Sequence, residues 1–284
     1  MTQEQLVEQI VQAILQAQAG PVGAGFHPRP DEKSRPDEKP RPDEKSIAAG
    51  GDGTPPLQTH PDTSARIAVG RAGTRLRTGT YLQFRADHAT ARDAVYNDVP
   101  AELLQHLGLP EFTTQAASRD EFLTRPDLGR VFSEESRRAI AAHNPKPCDV
   151  LVYAADGLSS RAIATNLENI LPVIAEGVSQ QGLSCGKPFF VKFGRVASME
   201  AIAELTGAKV VCVLIGERPG LGSADSMSAY MAYEPVMGMP EARRTVVSNI
   251  YHGGLNAVEA GAYIAELLVK MHKSQKSGVE LNAE

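Results

Sequence analysis

The sequence contains no tryptophan, only three cysteines and few aromatic residues of any kind, 5% in all. Its formal charge at pH 7 is -5. Without a basic excess there is no broad electropositive surface for phosphates, and with so few rings there is little for bases to stack upon. Nucleic acid is therefore not an expected partner. No apolar run approaches the ~20 residues that cross a bilayer, so no membrane segment is expected. Glu4 and Glu8 stand where a secretory signal would carry basic residues, and a cytoplasmic location is expected. The cysteines, Cys148, Cys185 and Cys212, are odd in number and far apart, which suits reduced, buried thiols. The seven histidines include no H-E-x-x-H pattern and no close pairing with cysteine, so no metal site is indicated. A G-x-S-x-G nucleophile elbow is missing as well.

What is present is an ordinary globular composition, 42% hydrophobic and 22% charged over 284 residues, enough for a sizeable core in one or two domains. Near the start, Leu6, Val7, Ile10, Val11, Ile14 and Leu15 recur at the spacing of an amphipathic helix, expected within residues 1–19. The repeat RPDEKS-RPDEKP-RPDEKS follows over residues 29–46, with prolines that interrupt any helix and charges that cancel within each unit. Residues 20–65 therefore read as a disordered, solvated linker. A short helix on a long tether must find an apolar surface elsewhere, in this protein or in another.

Residues 66–147 are rich in charge and helical signals and read as a small helical subdomain. From residue 148 to 284 the pattern changes to short apolar runs separated by helical segments. Residues 150–153, 189–193, 210–215 and 245–248 read as strands, and residues 227–233 as a further candidate. Helices are expected over residues 161–179, 199–205 and 257–272. The expected fold is α/β, with a mainly parallel, Rossmann-like sheet flanked by helices.

In such a sheet three loops leave strand ends side by side: residues 156–160, 194–196 and 216–222. That edge is where ligands bind in open α/β sheets. Ser159 in the first loop also suits a helix cap. The third loop, GERPGLG, has the glycine content of a phosphate cradle. Its glycines, Gly216, Gly220 and Gly222, match neither the dinucleotide fingerprint nor the P-loop, and no lysine follows. Glu217 at its mouth would repel a pyrophosphate. A carboxylate there suits either a neutral ligand rich in amide or hydroxyl donors, or simple pairing with a neighbouring arginine.

Seven blocks share one order with a known family: RAGTR (residues 71–75), LTRPDLGR (123–130), DGLS (156–159), NLENILP (166–172), FFVKFGRV (189–196), GERPGLG (216–222) and SNIYHGG (248–254). Together they closely resemble the small subunit, or light chain, of ethanolamine ammonia-lyase, from about residue 66 to residue 271. The resemblance implies an adenosylcobalamin enzyme that converts ethanolamine to acetaldehyde and ammonia by radical rearrangement. It implies a hetero-oligomer whose large subunit, a barrel, carries the catalytic residues, so this chain should carry none and should be inactive alone. The small subunit's implied part is to help enclose the cobalamin at the subunit interface.

Carried over residue by residue, the family's cofactor contacts fall on Val196, Glu217 and Val246. Val246 departs from family members that have cysteine there, so a thiol contact is lost. The chain lacks the D-x-H-x-x-G motif by which some cobalamin proteins replace the nucleotide base on cobalt. The resemblance therefore implies base-on binding, with no metal ligand from this chain and His252 in a structural or interface role. Residues 1–19 resemble an encapsulation peptide, which implies shell proteins of a bacterial microcompartment as further partners.

Overall fold

The computed structural model describes residues 70–281. The amphipathic helix expected within residues 1–19 and the linker expected over residues 20–65 lie outside the described residues. Of those described, residues 70–88 group apart from residues 89–281. The first group holds the short antiparallel pair β1 (Arg71–Ala72) and β2 (Arg75–Leu76). Helix α1 (Thr78–Tyr96) begins in it and buries Ala91 and Ala94 in its second half.

From there the chain runs through α2 (Ala101–His106), β3 (Glu111–Thr113), α3 (Arg119–Thr124) and α4 (Glu134–His143). It continues with β4 (Val150–Ala155), α5 (Ser160–Gln180), β5 (Phe190–Lys192), α6 (Ser198–Thr206), β6 (Val210–Gly216), β7 (Met227–Tyr233), β8 (Thr245–Ile250) and α7 (Ala257–Ser274). Six strands form one sheet in the order β3, β5, β4, β6, β7, β8. The first four are parallel, and β7 alone runs the other way. The α/β fold with a mainly parallel sheet is as expected, and residues 227–233 are a strand. β3 comes from the stretch expected to be a helical subdomain. Its three residues are too few for alternation to show in a sequence, and only pairing with β5 makes them a strand.

β4 and β6 are buried along their whole length. Helices cover both faces of the sheet, so these strands have no solvent side and read as unbroken apolar runs. Val150, Val152, Ala154, Val210, Cys212 and Leu214 pack against Ile163, Leu167 and Ile170 of α5 and Ile264 and Leu268 of α7. The alternate residues, among them Leu151, Tyr153, Val211, Val213 and Ile215, face Ile140 of α4 and Met199 and Ile202 of α6.

Local signals start and stop the helices. The Ser159 and Asn256 side chains accept from the backbone N–H groups of Ala162 and Val258, capping α5 and α7. α6 ends at Gly207 in the left-handed conformation. Cys148 and Cys212 are buried, as expected; Cys185 is exposed, because it lies in the loop after α5 rather than in a strand. Among the described residues no helix is long and apolar enough to cross a membrane.

Candidate ligand cleft

Because β4, β5 and β6 are parallel, their carboxyl ends open at one edge of the sheet. The three loops expected to converge there are fastened to one another. Asp156, fully buried at the end of β4, accepts the Gly194 N–H of the second loop at 3.2 Å through Oδ1. Its Oδ2 takes the Arg119 guanidinium of α3 at 2.9 Å. Arg119 also holds Asp98 at 2.9 Å and lies 4.8 Å from the centre of the Phe193 ring. Burial pushes the Asp156 carboxyl up to about 6, against the pull of Arg119 and the backbone donors.

The third loop is tied to the first by the backbone. Leu158 donates its N–H to the Gly216 carbonyl at 3.0 Å, and the Ser159 hydroxyl donates to the Ala224 carbonyl at 2.6 Å. Gly157 sits at φ +55°, and a Cβ there would overlap the Gly216 carbonyl oxygen. Gly216 is equally confined, since a Cβ on it would overlap the Ser159 carbonyl oxygen. The glycines are thus needed where the two loops touch.

Between the loops is a cleft of about 380 Å³, lined among others by Leu158, Arg195, Val196, Ile215, Glu217 and Tyr230. Two sequence-predicted residues, Val196 and Glu217, meet in it. Among the described residues no arginine pairs with Glu217. The Ser226 hydroxyl donates to its Oε2 at 2.9 Å and the Ser228 hydroxyl to its Oε1. Each carboxylate oxygen has about two acceptor sites, so each keeps one for a further donor. Arg195 stacks 4.1 Å above Phe122 and donates to the Phe122 carbonyl at 2.9 Å through Nη2. Its buried Nε has no hydrogen-bond partner among the described residues, and burial lowers the pKa of the guanidinium. Burial, and next the charge of Glu217, raise the Tyr230 phenol.

The third predicted contact, Val246, lies on β8 and is not among the cleft-lining residues. It is 44% exposed and pairs in register with Tyr230. His252 is mostly exposed, with Nδ1 3.2 Å from Asp225 Oδ2. Sequence reasoning missed Arg119, Ser226, Ser228 and Tyr230. For the last two a signal existed: alternation along β7 puts Ser228 and Tyr230 on one face and Met227, Ala229 and Met231 on the other. Nothing local marks Arg119, which reaches Asp156 from 37 residues away.

The chain is thus an α/β protein of the doubly wound kind, with a polar-edged cleft at the carboxyl ends of its parallel strands. Residues 55–282 match the sequence model of the ethanolamine ammonia-lyase light chain. The small subunit of ethanolamine ammonia-lyase from Clostridium tetani is 53% identical over 225 residues, 79% of this chain and 76% of that protein. The corresponding subunit from Clostridium acetobutylicum is 51% identical over 219 residues, 77% of this chain and 90% of that protein. That from Listeria monocytogenes strain EGD-e is 50% identical over 219 residues, covering 77% and 75%. This chain belongs to the ethanolamine ammonia-lyase light-chain family.

Proposed function

We propose that the chain is the small subunit of an adenosylcobalamin-dependent ethanolamine ammonia-lyase, a hetero-oligomer that deaminates ethanolamine to acetaldehyde and ammonia, and that it binds cobalamin jointly with a large catalytic subunit. The observation that supports this most is the meeting of Val196 and Glu217 in one cleft at the carboxyl edge of the sheet. When bound, adenosylcobalamin supplies the radical chemistry; protein supplies position, electrostatics and exclusion of side reactions. The cleft is smaller than a corrinoid, so this chain would hold an edge or the nucleotide tail and leave the remainder to its partner.

The donor set suits that ligand. Val196, Leu158 and Ile215 offer apolar contact. The remaining acceptor sites on Glu217 would take amide N–H groups of the corrin side chains, and the Tyr230 hydroxyl and Arg195 would donate to amide carbonyls. Ser226 and Ser228 hold the Glu217 carboxylate at a set angle before any ligand arrives, which lowers the ordering cost of binding. Binding is proposed to be base-on, with no cobalt ligand from this chain. Val246, beside Tyr230 on β8, would add packing.

The two serine bonds also favour a second reading, in which Glu217 only stabilises its own loop. Glu217→Ala separates the two. A charge-assisted hydrogen bond contributes about 1.5–3 kcal/mol, so its loss should raise the cofactor concentration needed for half-maximal activity by roughly 10- to 100-fold, with subunit assembly retained. Wild-type cofactor affinity in an assembled Glu217→Ala complex would leave only the second reading.

A further inference from the structure

Val196 and Val246 belong to different walls, one two residues before α6 and one on β8, and only Val196 lines the cleft. A buried ion pair spans these walls. Glu200 follows Val196 by one helical turn, and Arg244 immediately precedes β8. Arg244 Nη2 donates to Glu200 Oε1 at 2.5 Å, with side chains 3% and 5% exposed. The second Glu200 oxygen accepts the Gly238 N–H at 2.8 Å, and the other Arg244 Nη donates to Glu241.

Both ends of the pair are joined through the backbone to the expected contacts. Met199 donates its N–H to the Val196 carbonyl at 3.2 Å, so Val196 moves with the first turn of α6. Ser198 in the same turn bonds the Tyr153 hydroxyl of β4 at 2.8 Å. Arg244 and Val246 are two residues apart in extended chain, so Arg244 continues the face of β8 that carries Val246. It is the face of Tyr230, which pairs with Val246 and does line the cleft. A buried ion pair gains little stability over apolar residues of the same size, because desolvating two charges offsets their attraction. Its distinctive contribution is a fixed geometry.

We infer that the Glu200–Arg244 pair is a positioning brace, holding the wall that carries Val196 and the strand that carries Val246 at the spacing a corrinoid requires; this rests on the cobalamin-binding reading above. Neither residue touches the ligand. The pair acts through α6 and β8.

The test is a titration of adenosylcobalamin into the assembled complex with the large subunit, read by equilibrium dialysis, alongside thermal unfolding. The double variant Glu200→Gln/Arg244→Met removes both charges and leaves neither orphaned, so the fold and assembly should survive. About tenfold weaker cofactor binding is expected, a size usual for coupling between sites, at a thermal midpoint close to wild type. Wild-type affinity in the assembled double variant overturns the brace, because a pair with a purely structural role leaves the cofactor affinity unchanged. Should the double variant not assemble, Arg244→Lys keeps the charge and gives up the planar fork. Severalfold weaker binding by it supports the brace, and unchanged binding overturns it. A wild-type complex that takes up no cobalamin overturns the binding reading itself, and the wild-type titration alone reveals that outcome.

Discussion

Asp156 carries more of the site's construction than its place in a short turn suggests. Its carboxylate joins the end of β4 to the Gly194 amide and to Arg119, while 1% of the residue is exposed. Burial disfavours the charge and pushes its carboxyl up to about 6, above the usual carboxylate range. The folded state therefore binds more protons than the unfolded state between about pH 4 and pH 6, and the contribution of this group falls as pH rises through that window. Two pKa units correspond to about 3 kcal/mol. Urea unfolding of wild type and Asp156→Asn across pH 4.5 to 7.5 should show wild type losing ground to the variant on that scale as pH rises. A difference that stays flat would mean the carboxyl is not held up by its burial. The residue type and the turn were legible in DGLS. The burial, and the arginine that answers it, were not, because both depend on segments distant in sequence.

Among the elements, the strands and long helices were the readable part. β4, β6 and β7 and helices α5, α6 and α7 all lie where periodicity and apolar runs place them. β3 and the pairing of β8 with β7 escaped, since a three-residue strand and a register with a bulge depend on neighbours rather than on local pattern. The contact between the first and third loops is the element-scale feature most open to challenge. Gly157→Val places a β-branched side chain at positive φ and drives its Cβ into the Gly216 carbonyl. Strain of about 1–3 kcal/mol is expected from the backbone conformation alone, with the overlap added to it. Denaturant unfolding should show at least that loss, and hydrogen exchange of the Leu158 amide, which bonds Gly216, should accelerate. A Gly157→Val protein as stable as wild type would mean that the loops separate at little cost.

At the scale of the whole molecule, the described body and the amino-terminal segment have separate tasks in the proposed scheme. The amphipathic pattern of residues 3–18 and the neutral repeats behind it lie outside the cleft-bearing residues in sequence. We propose that they deliver the enzyme to microcompartment shell proteins. A variant that starts at Pro21 should keep full activity with the large subunit in solution and should be missing from purified compartments. Recovery of that variant inside the shells at wild-type levels would remove the targeting role. Composition and periodicity determined that this is an α/β protein with a mainly parallel sheet, and that its loops gather at one edge, because such patterns are local and repeat along the chain. Tertiary structure alone decided that Val196 and Glu217 share a cleft while Val246 stands outside it, that serines rather than an arginine hold Glu217, and that Asp156 and Glu200 each find an arginine. Those outcomes depend on pairings between distant segments, and a buried charge has no local pattern that names its partner.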